Sequence, residues 1–116
     1  MSGPLELNLI NGPVPVLRLR GRLDAAGAQT LHVKALASLK ESGERNLVVD
    51  LAEVDFVAST GLATFLLLTE EFTEAHGTIV FANATPAVMQ VISLLNINQF
   101  LNLENSEDAA IDRIGV

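Results

Sequence analysis

Hydrophobic and polar residues alternate in two runs near the start of the chain. Leu5-Glu6-Leu7-Asn8-Leu9 has the period of two expected of a half-buried strand. Asn11-Gly12-Pro13 interrupts it. Val14 to Leu23 resumes the alternation, with Leu17 and Leu19 on one face and Arg18, Arg20 and Arg22 on the other. Two such runs around an Asn-Gly turn predict a β-hairpin. The arginine row is a docking stripe, a set of partners for acids on the neighbouring strand, or simply a face turned to water. The period then lengthens. Ala28, Leu31, Ala35 and Leu39 recur at helical spacing and predict a helix from about Ala25 to Ser42, with Asp24 as N-cap and Gly43 as stop.

Leu47-Val48-Val49-Asp50-Leu51 is too continuously apolar for a sheet with one wet face and reads as a central parallel strand. A helix follows from about Gly61 to His76, with Gly77 as its C′ residue. On it Leu62, Phe65, Leu66, Thr69 and Phe72 share one side. Leu67 falls nearly opposite, among Ala63, Glu70, Glu71 and Glu74. It is either a solitary exposed leucine, which is common, or a contact point. Thr78-Ile79-Val80-Phe81-Ala82 reads as another buried strand. Thr85-Pro86 opens a short helix carrying Val88, Met89, Val91, Ile92 and Leu95. Phe100-Leu101 starts a last short strand, and Ser106 caps a final helix with Glu107 and Asp108 in its first turn.

After the hairpin, strands and helices alternate. That order predicts an α/β fold: a mixed, mostly parallel sheet of about five strands with right-handed crossovers and about four helices. At 116 residues the chain is expected to form one domain, spanning 1–116, with a core that needs neither disulfides nor metal. The charge of −7 disfavours nonspecific contact with nucleic acid or anionic lipid and suits a partner with a basic face. No stretch approaches the roughly 18 to 20 apolar residues that span a bilayer. Met1-Ser2-Gly3-Pro4-Leu5-Glu6 carries no basic region or apolar signal core, so a cytoplasmic protein without membrane insertion is expected. There is no Cys, Trp or Tyr, hence no thiolate metal site, Cys nucleophile or aromatic stacking platform.

The chemistry concentrates in Ala58-Ser59-Thr60-Gly61-Leu62, between the central strand and its helix. Two hydroxyls stand where a helix begins, and the free amides of a first turn carry the positive end of the helix dipole. Ser59 therefore fits two roles, an N-cap or the acceptor of a phosphate that those amides would receive. A serine nucleophile needs a histidine base. The only histidines are His32, in the first helix, and His76, about four turns or more than ~20 Å from Ser59 along its own helix. A hydrolase is not expected, nor is any other enzyme. Asp50 and Asp55 suggest a carboxylate pair or metal site by spacing alone, and capping or turn formation explains them more simply. No zinc, EF-hand or phosphate-loop pattern is present, so no metal or other cofactor is expected.

Across nearly its whole length the chain resembles STAS domains of the anti-sigma factor antagonist type. The hairpin with Gly21-Arg22-Leu23-Asp24 is similar to the family's glycine–any–leucine–aspartate element. Leu47 to Leu51 and Val54-Asp55-Phe56 resemble its central strand and the turn after it. Ala58-Ser59-Thr60-Gly61-Leu62 resembles its aspartate–serine–serine/threonine–glycine–leucine signature, with Ala58 where the family usually has aspartate. Asn83 to Val88 and Leu94 to Ile97 resemble its next loop and helix. The resemblance implies a module that binds an anti-sigma factor, itself a serine kinase of the GHKL type, and so frees a sigma factor. It implies Ser59 as the kinase's target, Thr60 as a second candidate, and a PP2C-type phosphatase that reverses the mark. It places Asp24, Ala58, Ser59, Thr60, Gly61 and Leu62 in the partner-binding surface, to which the exposed Leu67 is added. The family also contains constitutive subunits of lipid-transport ATPases and stress-sensing assemblies, a role that Ala58 favours. The oligomeric state is left open, a weak homodimer included.

Overall fold

The computed structural model describes residues 3–115; Met1 and Ser2, the start of the segment read above for an export signal, lie outside them, as does Val116. The hairpin forms as its alternation predicts: β1 (Glu6–Ile10) pairs antiparallel with β2 (Val16–Leu23). Then follow α1 (Ala25–Lys40), β3 (Asn46–Val57), α2 (Ser59–Glu74), β4 (Thr78–Ala82), α3 (Pro86–Leu94), β5 (Leu103–Glu104) and α4 (Glu107–Ile114). The five strands lie in the order β1-β2-β3-β4-β5, and every pair after the hairpin is parallel.

The period-2 pattern of the central strand sends its side chains into two cores. Leu47, Val49 and Leu51 join Leu17, Leu31, Phe65 and Phe72 beneath α1, α2 and α3. Phe65 and Phe81 stack there with ring centroids 4.5 Å apart. Val48 points the other way, with Val16, Val80 and Ala110, into a smaller core under α4. Asp50 lies on that second face.

Four expected boundaries move. The central strand does not end at Leu51; it runs on to Val57, because β2 continues beside it and pairs Gly21 with Val54 and Leu23 with Val57. Val54-Asp55-Phe56 is therefore strand, not turn, and neither Asp50 nor Asp55 forms a turn between elements. α1 stops at Lys40 rather than Ser42, capped by Glu41. α2 starts at Ser59 and ends at Glu74; His76 takes the left-handed conformation (φ 62°), and Gly77 follows, its N–H reaching back to the Phe72 carbonyl at 2.7 Å. Gly77 is thus one residue beyond the C′ position. Finally, Phe100 lies in a single 3-10 turn (Asn98–Phe100), and β5 begins at Leu103. Leu95 does not join the core but is half exposed just past α3.

Candidate functional site

Two helices are pressed onto the end of β2. A Cβ added to Gly27 in α1 would lie 2.6 Å from the Arg22 carbonyl oxygen, and one added to Gly61 in α2 would lie 2.9 Å from that of Leu23. Only glycine allows both helices to start so close to the same strand. Asp24 follows Leu23, and Ala58 follows the Val57 that pairs with it. The Ala58 N–H donates to the Leu23 carbonyl at 2.9 Å, which continues the pairing and places Asp24 and Ala58 at adjoining strand ends.

From there the two chains diverge chemically. Asp24 is the expected N-cap of α1; its carboxylate accepts from the Gly27 N–H at 2.9 Å. The N-cap of α2 is Ala58, with extended backbone (φ −88°, ψ 167°) and no side chain to bond the first turn. Ser59 occupies the first helical position, so it is not the cap that its chemistry suggests. It is exposed, as is Thr60, whereas Gly61 and Leu62 are buried against β2. Among the described residues the Ser59 hydroxyl has no hydrogen-bond partner, while Thr64 Oγ1 donates to the Thr60 carbonyl at 2.9 Å.

Down the helix, Ser59, Ala63 and Leu67 follow one another at intervals of four and share a stripe. All three are exposed, Leu67 at 44 %. The structure thus gathers Asp24, Ala58, Ser59 and Thr60 at one end of the sheet, extends that surface to Leu67, and leaves Leu62 beneath it as support. Ala63 belongs to the stripe and was legible from the same spacing. The histidines are elsewhere: His32 Nε2 lies 2.8 Å from Glu71, and His76 closes the far end of α2.

The family described as Mlab, STAS domain matches residues 10–104. The chain belongs to the STAS family. BtrV of Bordetella bronchiseptica, assigned as an anti-sigma factor antagonist, is 29 % identical over 106 residues, covering 91 % of this chain and 90 % of that protein. The crystal structure of an anti-sigma factor antagonist from Mycobacterium paratuberculosis has a TM-score of 0.85 at 24 % identity, over 98 % of both chains. The anti-sigma factor antagonist SpoIIAA in its unphosphorylated form has a TM-score of 0.77 at 21 % identity, over 95 % of both chains. The phosphorylated form of SpoIIAA, a Bacillus cell fate determinant, has a TM-score of 0.69 at 20 % identity, over 95 % of this chain and 98 % of that one.

The other polar cluster of this STAS domain lies under α4. A cleft of about 740 Å³ opens on that face, with Arg18, Arg20, Asp50, Glu53 and Glu107 in its wall; Ser59 does not line it. Arg18 donates twice to Glu107, at 2.8 and 3.0 Å. Those bonds, first of all, hold the Glu107 carboxyl down at about 2. Asp50, only 7 % exposed, accepts from the Ala52 N–H at 2.8 Å and from Asn83 Nδ2 at 3.3 Å. Burial, and then the neighbouring Glu107 carboxyl, pushes its own carboxyl up. The rest of the arginine row has separate occupations. Arg20 lies 3.8 Å from Glu53 on the neighbouring strand, and the Arg22 guanidinium lies 5.2 Å from the centre of the Phe56 ring. Asp50 therefore has Glu107 rather than Asp55 as its carboxylate neighbour. Among the described residues no group of three or more His, Asp or Glu could hold a metal ion. None of their helices is long and apolar enough to cross a membrane.

Proposed function

We propose that this STAS domain is an anti-sigma factor antagonist whose docking surface is the start of α2 and is switched by phosphate on Ser59. The carrying observation is the exposed Ser59 hydroxyl at the first position of a helix that no side chain caps, beside Asp24. The partner is an anti-sigma factor that is also a GHKL-type serine kinase; binding it frees a sigma factor in the cytoplasm. The kinase transfers a phosphoryl group from ATP to Ser59 Oγ, and a PP2C-type phosphatase hydrolyses the ester. The domain is a binding module with no catalytic group of its own. The assignment of BtrV and the two forms of SpoIIAA support the reading.

The physics of the switch is local. The phosphate adds about −1.5 to −2 charge, and the free amides and dipole of α2 receive it without disturbing the fold. A docked protein must desolvate that charge or match it. A hundredfold loss of affinity needs only about 2.8 kcal/mol, less than the burial of an unmatched charge costs. Incubation with the cognate kinase and ATP is expected to add the mass of one phosphate, mapped to Ser59 by fragmentation. Ser59→Asp is expected to weaken partner binding about a hundredfold while the melting temperature stays within ~2 °C. Phosphate found on Thr60 alone, or a variant that binds as well as the parent, overturns the proposal.

A second reading has its own support. Ala58 removes the carboxylate that usually precedes the acceptor, and the matching family is described by Mlab. On that reading the domain is a constitutive subunit of a lipid-transport ATPase or a stress-sensing assembly. The same surface then holds its partner permanently, and no phosphate is gained with any kinase that co-purifies.

A further inference from the structure

Exposed apolar side chains are concentrated in one corner. Among the described residues six large ones are exposed, and three of them fall within seven positions: Leu94 at 81 %, Leu95 at 53 % and Phe100 at 63 %. The corner is firmly built. The Leu95 N–H donates to the Val91 carbonyl, Ile97 N–H to Ile92, and Phe100 N–H to Ile97, at 2.9 to 3.2 Å. Gln99 Nε2 adds a bond to the Asn96 carbonyl at 3.2 Å. Little ordering is left to be lost on association.

The charge pattern says what fits there. Not one charged residue occurs from Gly77 to Leu103, in a chain whose net charge is −7. The apolar trio is bordered instead by Gln90, Ser93, Asn96, Asn98 and Gln99. Amides donate and accept at once, so such a rim can satisfy a copy of itself across a two-fold axis, where each patch meets its own image. An acidic chain that meets a second copy is repelled on its charged faces and least on this one. An apolar centre with an uncharged polar border is also the usual anatomy of an interface.

We propose that the α3 corner formed by Leu94, Leu95 and Phe100 is the contact surface of a weak isologous dimer of this chain. It lies away from the Ser59 end. Thr85 starts α3 beside β3, its Oγ1 donating to the Val54 carbonyl at 3.3 Å. α3 then returns across the sheet, as a connection between parallel strands must, and its nine residues carry Leu94 about 13 Å away. Charge on Ser59 does not gate this contact.

Sedimentation velocity of the whole chain, up to ~1 mM, tests the proposal at ~0.1 M and ~1 M salt. Concentration-dependent dimerisation is expected, tighter at the higher salt because screening relieves the repulsion between two copies. Amide NMR signals that shift on dilution should cluster in 90–100. Leu94→Glu with Phe100→Glu should weaken association at least ~tenfold; both sites are exposed, and an unchanged amide spectrum elsewhere verifies the fold. Ser59→Asp should leave association as it was. A chain monomeric at ~1 mM in high salt, dilution shifts that map to β1, or a double variant that dimerises like the parent overturns the proposal. So does a double variant that loses only its hold on a kinase partner, which would assign the corner to a heterologous complex.

Discussion

α1 and α2 begin side by side on the end of the same strand, and they begin differently. α1 is closed: Asp24 occupies the N-cap and bonds the Gly27 amide. α2 is open: Ala58 has the backbone of a cap but no group to do the capping. α3 and α4 resemble α1, with Thr85 and Ser106 bonded to the amides of Val88 and Ala109. Among the described residues α2 alone of the four has no side chain bonded to its first turn: its Gly61 N–H turns to the Ala58 carbonyl at 2.9 Å, which leaves the Ser59 and Thr60 amides, and it is the one helix with an exposed hydroxyl at its first position. A side-chain cap fills the mouth of its first turn with an oxygen of the protein's own; the α2 turn, which has none, leaves that place to an anion that arrives later.

The comparison assumes that both helices are held against β2 equally firmly, and glycine substitutions test that first. In α1, Gly27→Ala would gain up to about 1 kcal/mol of helix propensity. Its Cβ would lie 2.6 Å from a backbone oxygen, which cannot swing aside. Overpacking of this kind typically costs 1–3 kcal/mol, so a net loss of about 1–2 kcal/mol is expected, read as a lower midpoint in urea. Gly61→Ala should cost less, because the backbone oxygen that its Cβ meets, that of Leu23, is farther off, at 2.9 Å. An equal or greater loss at Gly61 would mean that α2, not α1, is the more tightly seated helix.

Exchanging the caps comes next in size. Asp24→Ala removes the side-chain acceptor of the Gly27 amide and should cost about 1 kcal/mol. Ala58→Asp offers the Gly61 N–H a carboxylate in place of the Ala58 carbonyl; the backbone at 58 is already extended, so a gain of up to about 1 kcal/mol is expected, or up to some 4 °C in Tm. If Ala58→Asp does not raise Tm, the α2 donors are not idle and the contrast between the helices fails. The same variant restores the carboxylate usual in the family. Faster phosphorylation of Ser59 in it would show that Ala58 slows the switch.

Periodicity was enough for the hairpin, the alternation of strand and helix, and the caps at Asp24, Thr85 and Ser106. Each of these is decided within a few residues. The start of α2 is not. Local chemistry makes Ser59 the cap, but pairing of β3 with β2 persists to Val57, and the Ala58 N–H is tied to the Leu23 carbonyl. A partner strand thus fixed the hand-over one residue early, and Ser59 fell into the helix with its hydroxyl free. Phe100-Leu101 misled for a similar reason: Leu101 is buried, but Phe100 faces out of a 3-10 turn. The Arg18–Glu107 pair joins residues 89 positions apart, and no local pattern announces it.

Glu107 gives the comparison an internal control. It stands at the first position of α4, as Ser59 does in α2, and is already negative. The fold accepts charge there because Arg18 meets it at 2.8 Å. Its pKa falls from 4.5 to about 2 on folding, through the Arg18 hydrogen bonds first of all. A depressed carboxyl contributes stability that is present above the unfolded value and is lost as pH falls through the folded one. Asp50 acts with the opposite sign: burial raises its carboxyl, so its ionised form subtracts stability as pH rises through that raised value, and nothing below 3.8. Glu107→Gln should therefore lower Tm modestly at neutral pH, because the pair is partly in water. The difference from the parent should shrink below about 4.5 and vanish near 2. Asp50→Asn should not lower Tm at neutral pH. Thermal melts of the three chains between those limits decide it. A Glu107→Gln variant as stable as the parent at neutral pH would show that a charge at a helix's first position adds nothing even when matched. The solvent-facing amides of α2 would then be a poor explanation for tolerance of phosphate at Ser59.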